Sequence, residues 1–174
     1  PRTAATILTG ASLAVAGQIM QLIARNKFVE PMTAGTGQSA ALGILLVVVL
    51  LPSAGIGTKM ALASTAALVG SLGFFMIAQK LPPSQPLLVP LVGLVYGGVI
   101  GAGVTYVAYQ ADMLQYLEIW MNGEFSGTMR GRYELLWIAG FAALMAYFVA
   151  DQFSILGLGE EVSINLGLNY RQVV

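Results

Sequence analysis

Long apolar runs, interrupted by charges, prolines and glycines, organise this chain. Residues 4–24 carry no charge, Arg25-Asn26-Lys27 closes the run, and Pro31 bars helical continuation. A second run, 35–51, starts small and polar (Gly35, Thr36, Gly37, Gln38, Ser39) and ends solidly apolar before the turn Pro52-Ser53-Ala54-Gly55. A third spans 60–78 and gives way to a proline-rich loop holding Lys80. A fourth, 87–109, is closed by Asp112, and a shorter fifth covers 135–150. Between the last two, residues 113–133 are amphipathic, mix acids and bases and are too polar to span a bilayer. The tail, 153–174, is mixed and reads as one or two short helices at the membrane surface.

Runs near 20 apolar residues match the thickness of a bilayer core, whereas a buried helix of a soluble domain usually stops at about 10–14. Only helices and closed barrels satisfy their backbone inside lipid. The runs lack two-residue alternation, so the expected fold is all-α, a polytopic transmembrane helix bundle of about five spans with a short surface helix. Composition agrees. Hydrophobic residues are 57% and charged residues 9% of the 174 residues, against about 25% charged in a soluble domain. The mean hydropathy is +0.78.

The chemistry available is narrow. The chain has no Cys and no His, which excludes a disulfide framework, thiolate metal sites and His-based catalysis. No basic patch points to nucleic acid, and no metal or cofactor is expected. Nothing resembles a phosphate-binding Walker loop, so any ATP is hydrolysed by a partner. The spans hold essentially no ionisable residue, which argues against a proton relay. Gln18 and Gln21 are polar residues within the first span, three apart and on one helix side. Two readings stand for them: interhelical hydrogen bonding, or the lining of a substrate path. Gly97 and Gly101 form a small-xxx-small pair, read as tight internal packing or as a pore or dimer seam. Lysines and arginines divide evenly between the two sides, with Arg25, Lys27, Lys80 and Arg171 against Arg2, Lys59, Arg130 and Arg132, so charge alone gives no orientation. The opening Pro1-Arg2-Thr3 lacks a signal-peptide n-region, and both ends read as boundaries inside a longer protein.

Pro1-Arg2-Thr3, then Gly10-Ala11-x-Leu13-Ala14-x-Ala16-Gly17, Gln21, Arg25-Asn26, Pro31, Gly35 and Gly43 form the first of three ordered stretches that resemble the iron–siderophore, haem and cobalamin permease family of ABC importers. The family usually has Asn-Pro where this chain has Asn26-Lys27. The second is Trp120-Met121-Asn122-Gly123-x-Phe125-Ser126-Gly127. The third runs from Gly157-Leu158-Gly159-Glu160-Glu161 through Val162-Ser163-Ile164-Asn165-Leu166-Gly167-Leu168 and resembles the family's coupling region. Gly131-Arg132-Tyr133-Glu134-Leu135-Leu136 and Gly167-Leu168-Asn169-Tyr170 look most like the Gram-positive branch importing catecholate siderophores such as petrobactin.

The resemblance implies a non-enzymatic transport subunit of the cytoplasmic membrane, here the second through sixth of ten helices plus the start of the coupling region. It implies as partners two copies of an ATP-binding subunit, an extracellular substrate-binding lipoprotein, a second permease copy, membrane lipid and an iron–siderophore substrate. Arg2 matches an extracellular arginine that pairs with an acid on the binding protein; anchoring of a helix start is the competing role. Gly159, Glu160, Glu161, Ser163, Asn165, Leu166 and Gly167 are implied as the ATPase contact, although adjacent acids on a tail also serve as a solvated face. Trp120, Phe125 and Tyr133 are expected at the outer interface as aromatic anchors. The alternative from another class is a helical membrane scaffold or channel subunit that transports nothing under ATP.

Overall fold

A computed structural model of the chain describes residues 2–24, 26–82, 85, 87–123 and 135–148. These residues form α1 (Arg2–Ile23), a 3₁₀ turn (Pro31–Ala34), α2 (Thr36–Leu50), α3 (Ile56–Ala78), α4 (Leu88–Gln110), α5 (Leu114–Met121) and α6 (Leu136–Phe148). The chain divides into two units, one holding residues 1–30 and 125–174, the other 31–124.

In the first unit α1 packs against α6. A Cβ at Gly140 would lie 2.7 Å from Leu8 Cδ2, so the leucine fills the space that glycine leaves. Ala5 is fully buried. The Thr6 hydroxyl donates to the Arg2 carbonyl at 3.0 Å, which settles a polar group on the helix itself. After α1 the chain turns on Asn26. The Asn26 amide donates to the Gln21 carbonyl, and its side-chain oxygen accepts the Phe28 N–H at 2.9 Å. An Asx turn thus follows the end of α1.

The second unit begins with Pro31 at the start of the 3₁₀ turn, where a missing N–H costs nothing. Gly35 follows at φ 70, a left-handed conformation that suits glycine, and it sets the chain into α2. Thr36 Oγ1 donates back to the Pro31 carbonyl across this corner. At its 15 residues, α2 is about 22 Å long, short of a bilayer core of about 30 Å. Helix α3 starts at Ile56, four residues before the expected run, and takes Lys59 into its first turn. A lysine near a helix end lays its stem along apolar surface and sends its ammonium to the interface, so hydropathy alone places the start too late.

Helix α4 holds Pro90 within its first turn, where proline is tolerated. It ends in a Schellman motif. The Met113 N–H bonds the Ala108 carbonyl at 2.8 Å, the Asp112 N–H bonds the Tyr109 carbonyl at 3.2 Å, and Asp112 sits at φ 55. The reversal lays α5 back over the core formed by Ala41, Leu45, Val104 and Ala108, which Leu117 and Met113 help to cover. Thus part of the polar 113–133 segment is a short amphipathic helix.

Outside that core the second unit exposes uncharged apolar surface. Leu68, Val69, Leu72, Leu94, Val95 and Val99 all face outward, which hydrocarbon accepts and water does not. Among the described residues, Arg2–Leu22, Ile56–Ala78 and Leu88–Gln110 are long and apolar enough to cross a membrane, and Thr36–Leu50 and Leu136–Phe148 are shorter apolar helices. The molecule is an all-α, multi-pass membrane bundle.

Candidate functional site

The residues singled out from sequence fall in separate places. Arg2 opens α1 and is exposed. Gln18 is exposed and Gln21 half-buried, both in the last third of the same helix. Arg2 and Gln18 are sixteen residues apart, about 24 Å along the axis, so no single site gathers them. Gly159, Glu160, Glu161, Ser163, Asn165, Leu166 and Gly167 lie outside the described residues, as do Phe125 and Tyr133. Trp120 belongs to α5 and stacks at a tilt on Tyr116, with ring centroids 6.0 Å apart. Both rings border a small crevice against Ala41, Ile44 and Leu45, so Trp120 helps to seat α5 on α2.

Polar atoms converge at the start of α2, a segment legible in sequence only as small and polar. Gly35, Gln38 and Ser39 share the first turns of that helix. Gln38 lies along α4: its Cδ is 3.7 Å from the place of a Gly97 Cβ, and its Cγ 3.5 Å from that of Gly101. The Gly97–Gly101 pair therefore packs against α2, while Gly98 and Gly103 face open space. Ser39 is 4% exposed and its Oγ presses on Gly70 of α3. Gln38 Oε1 and Ser39 Oγ are buried and have no hydrogen-bond partner among the described residues.

Ser39 also borders an open groove of about 730 Å³ between α2, α3 and α4. Its walls are almost wholly apolar (Leu46, Leu50, Leu62, Val69, Met76, Ile100), with Thr65 and Tyr96 adding hydroxyls. The Tyr96 hydroxyl is engaged, donating to the Gly70 carbonyl at 2.7 Å. Nothing here can activate a nucleophile or shuttle a proton. Small residues, isolated amides and hydroxyls, and greasy walls can pack helices and pass a large ligand by helix movement. Neither Gln38 nor Tyr96 carries a sequence signal beyond residue type, because each acquires its surroundings from another helix.

Comparison with known proteins gives this arrangement its family. The profile described as the FecCD transport family matches residues 1–174. The petrobactin import system permease protein YclN of Bacillus subtilis is 41% identical over 174 residues, which are 100% of this chain and 55% of that protein. The petrobactin import system permease protein FatD of Bacillus anthracis is 39% identical over 100% of this chain and 52% of its own length. The ferric-anguibactin transport system permease protein FatD of Vibrio anguillarum is 39% identical over 98% of this chain and 54% of that protein. The chain thus spans about half the length of the curated relatives it matches. A solved metal-chelate type ABC transporter in an inward-facing conformation shares the fold, with a TM-score of 0.81 and 20% identity over 99% of this chain and 56% of that one. Matched by that profile along its whole length, the chain belongs to the FecCD transport family.

Proposed function

We propose that this chain forms part of the transmembrane permease subunit of an ABC importer that carries an iron–siderophore across the cytoplasmic membrane. The observation that carries the reading is the family match along the whole chain, joined to the identity with two petrobactin import permeases. The spans supply no hydrolytic group, and energy comes from two ATP-binding subunits docked on the inner side. A substrate-binding lipoprotein docks outside, and a second permease copy completes the path. Movement of the bundle between outward-open and inward-open states passes the chelate, as in other alternating-access carriers.

The relatives' names favour a catecholate-type chelate of the petrobactin class. The test is uptake of radio-iron chelates by the full-length permease, with its ATPase and binding protein, in cells lacking their own siderophore permeases. Saturable, ATP-dependent import of ferric petrobactin, with little of a ferric hydroxamate, is the expected result. Import of no chelate with all three components present refutes the reading.

Residue roles follow from it. Arg2, exposed at the start of α1, meets a carboxylate on the binding protein. Arg2→Glu is expected to weaken docking about five- to tenfold at low ionic strength, with the difference shrinking as salt rises. Titration of the binding protein onto permease in nanodiscs measures this, and equal affinities in low salt remove the role. Gln18 and Gln21 are assigned to the path side of α1. Gly159, Glu160, Glu161, Ser163, Asn165, Leu166 and Gly167 are assigned to the ATPase contact.

A further inference from the structure

Tyr96 of α4 holds three elements of the second unit together. Its hydroxyl donates to the carbonyl of Gly70, 26 residues earlier in α3, at 2.7 Å. Its ring lies over the corner that starts α2, since a Cβ at Gly35 would meet Tyr96 Cδ1 and Cε1 at 3.1 Å. The same ring stands 6.1 Å from the Phe74 ring, centroid to centroid. A Cβ at Gly73 would sit 2.6 Å from the tyrosine oxygen but 3.6 Å from Cζ. The first distance is one that real Cβ atoms do not show, and the second is ordinary van der Waals contact. The socket at position 73 is therefore shaped to the hydroxyl rather than to the ring.

The acceptor adds to the case. Gly70 lies inside α3, and its carbonyl oxygen has a second lone pair to offer beyond the helical ladder. Away from water, a phenol that loses this acceptor has few replacements, so its hydroxyl favours one depth and one register of α4 against α3. Tyr96 also borders the groove between α2, α3 and α4. On the groove side α4 meets little packing, so there the hydrogen bond and the Gly35 contact add to the packing that Gly93, Gly97 and Gly101 give its other side.

We propose that Tyr96 is a positioning residue for transport: its hydroxyl, seated in the gap left by Gly73, sets α4 against α3 and against the Gly35 corner. The proposal rests on the permease reading given above. The experiment compares wild type, Tyr96→Phe, Gly73→Ala and the double variant in the full-length permease with its ATPase and binding protein. Chelate uptake is normalised to inserted permease, and the melting temperature in detergent is measured alongside. Tyr96→Phe removes one interhelical hydrogen bond without adding bulk, and is expected to lower uptake per molecule about three- to tenfold. Gly73→Ala forces the hydroxyl from its acceptor and is expected to lose more, with a lower melting temperature. Adding Tyr96→Phe to Gly73→Ala clears the clash and restores both readouts to the level of Tyr96→Phe alone. A double variant no better than Gly73→Ala, or a Tyr96→Phe variant as active as wild type, overturns the role of Tyr96. A wild-type permease that imports no chelate overturns the transport reading and this role with it.

Discussion

Gly43→Leu is expected to separate α2 from α3 and to cost about 3 kcal/mol or more, at or beyond the upper end of what overpacking usually costs. A Cβ at residue 43 would lie 2.7 Å from the Leu62 carbonyl oxygen, 2.8 Å from Ala66 Cβ and 3.1 Å from Ala63 Cα. None of these is the far end of a flexible side chain, so relief requires movement of a helix. Lipid offers no hydrophobic drive to hold helices together, and close backbone packing carries the association. Gly10→Leu is the control, because a Cβ at Gly10 meets nothing within 4 Å. Both changes remove a helical glycine, so any gain in helix propensity is shared. Unfolding in mixed detergent should show a large loss for the first and no loss, or a gain of up to about 1 kcal/mol from helix propensity, for the second. Equal losses would mean that the α2–α3 contact is not what Gly43 protects.

Gly93→Val should displace the 3₁₀ turn from α4. A Cβ there would stand 2.5 Å from the Thr33 carbonyl oxygen and 2.6 Å from Thr33 Cγ2, with the Phe74 ring edge at 3.3 Å. Thr33 is 8% exposed and has little room to retreat. The turn leads directly into Gly35, so its displacement disturbs the start of α2 and the seat of the Tyr96 ring. An alanine at this position already falls in the range of about 1–3 kcal/mol for added core methyls, and the branched valine should exceed it. Gly98→Val is the matched control, since a Cβ at Gly98 meets nothing within 4 Å. The expected outcome is faster proteolysis within the second unit, residues 31–124, for Gly93→Val, with Gly98→Val close to wild type. Two variants behaving alike would show that the α4–turn contact does not matter to the folded bundle.

These two sites show where a hydropathy reading stops. Helices α2, α3 and α4 are apolar on nearly every face, so no stripe marks the side that packs. Gly93 and Gly98 are both helical glycines in one run, indistinguishable by residue type. Only the neighbour decides that one cannot gain a side chain while the other can. The expected range of α4, 87–109, lies one residue from the observed Leu88–Gln110, because charge and proline punctuate it sharply. The start of α3 was expected four residues too late because Lys59 looks like an end signal and is tolerated within the first turn. Helix α5 takes 8 residues of a segment whose amphipathic character was legible, although the limits of the helix within it were not. Arg2, Gln18 and Gln21, singled out by residue type, do not belong to the polar cluster at the start of α2. The Gln38–Ser39 pair and Tyr96 were not legible, because their roles depend on contacts with α3 and α4.

What the amino-acid order determined by itself is the solvent. Twenty-residue runs without charge dissolve in hydrocarbon, and their backbone must then close its hydrogen bonds within helices. The ordered motifs added the family. Tertiary structure alone decided which glycines are contacts, which side of each helix is covered, and that one tyrosine reaches a carbonyl 26 residues away. The physical reason is that insertion depends on summed hydropathy along a segment, whereas packing depends on the shape of surfaces that meet only after the segments have been inserted.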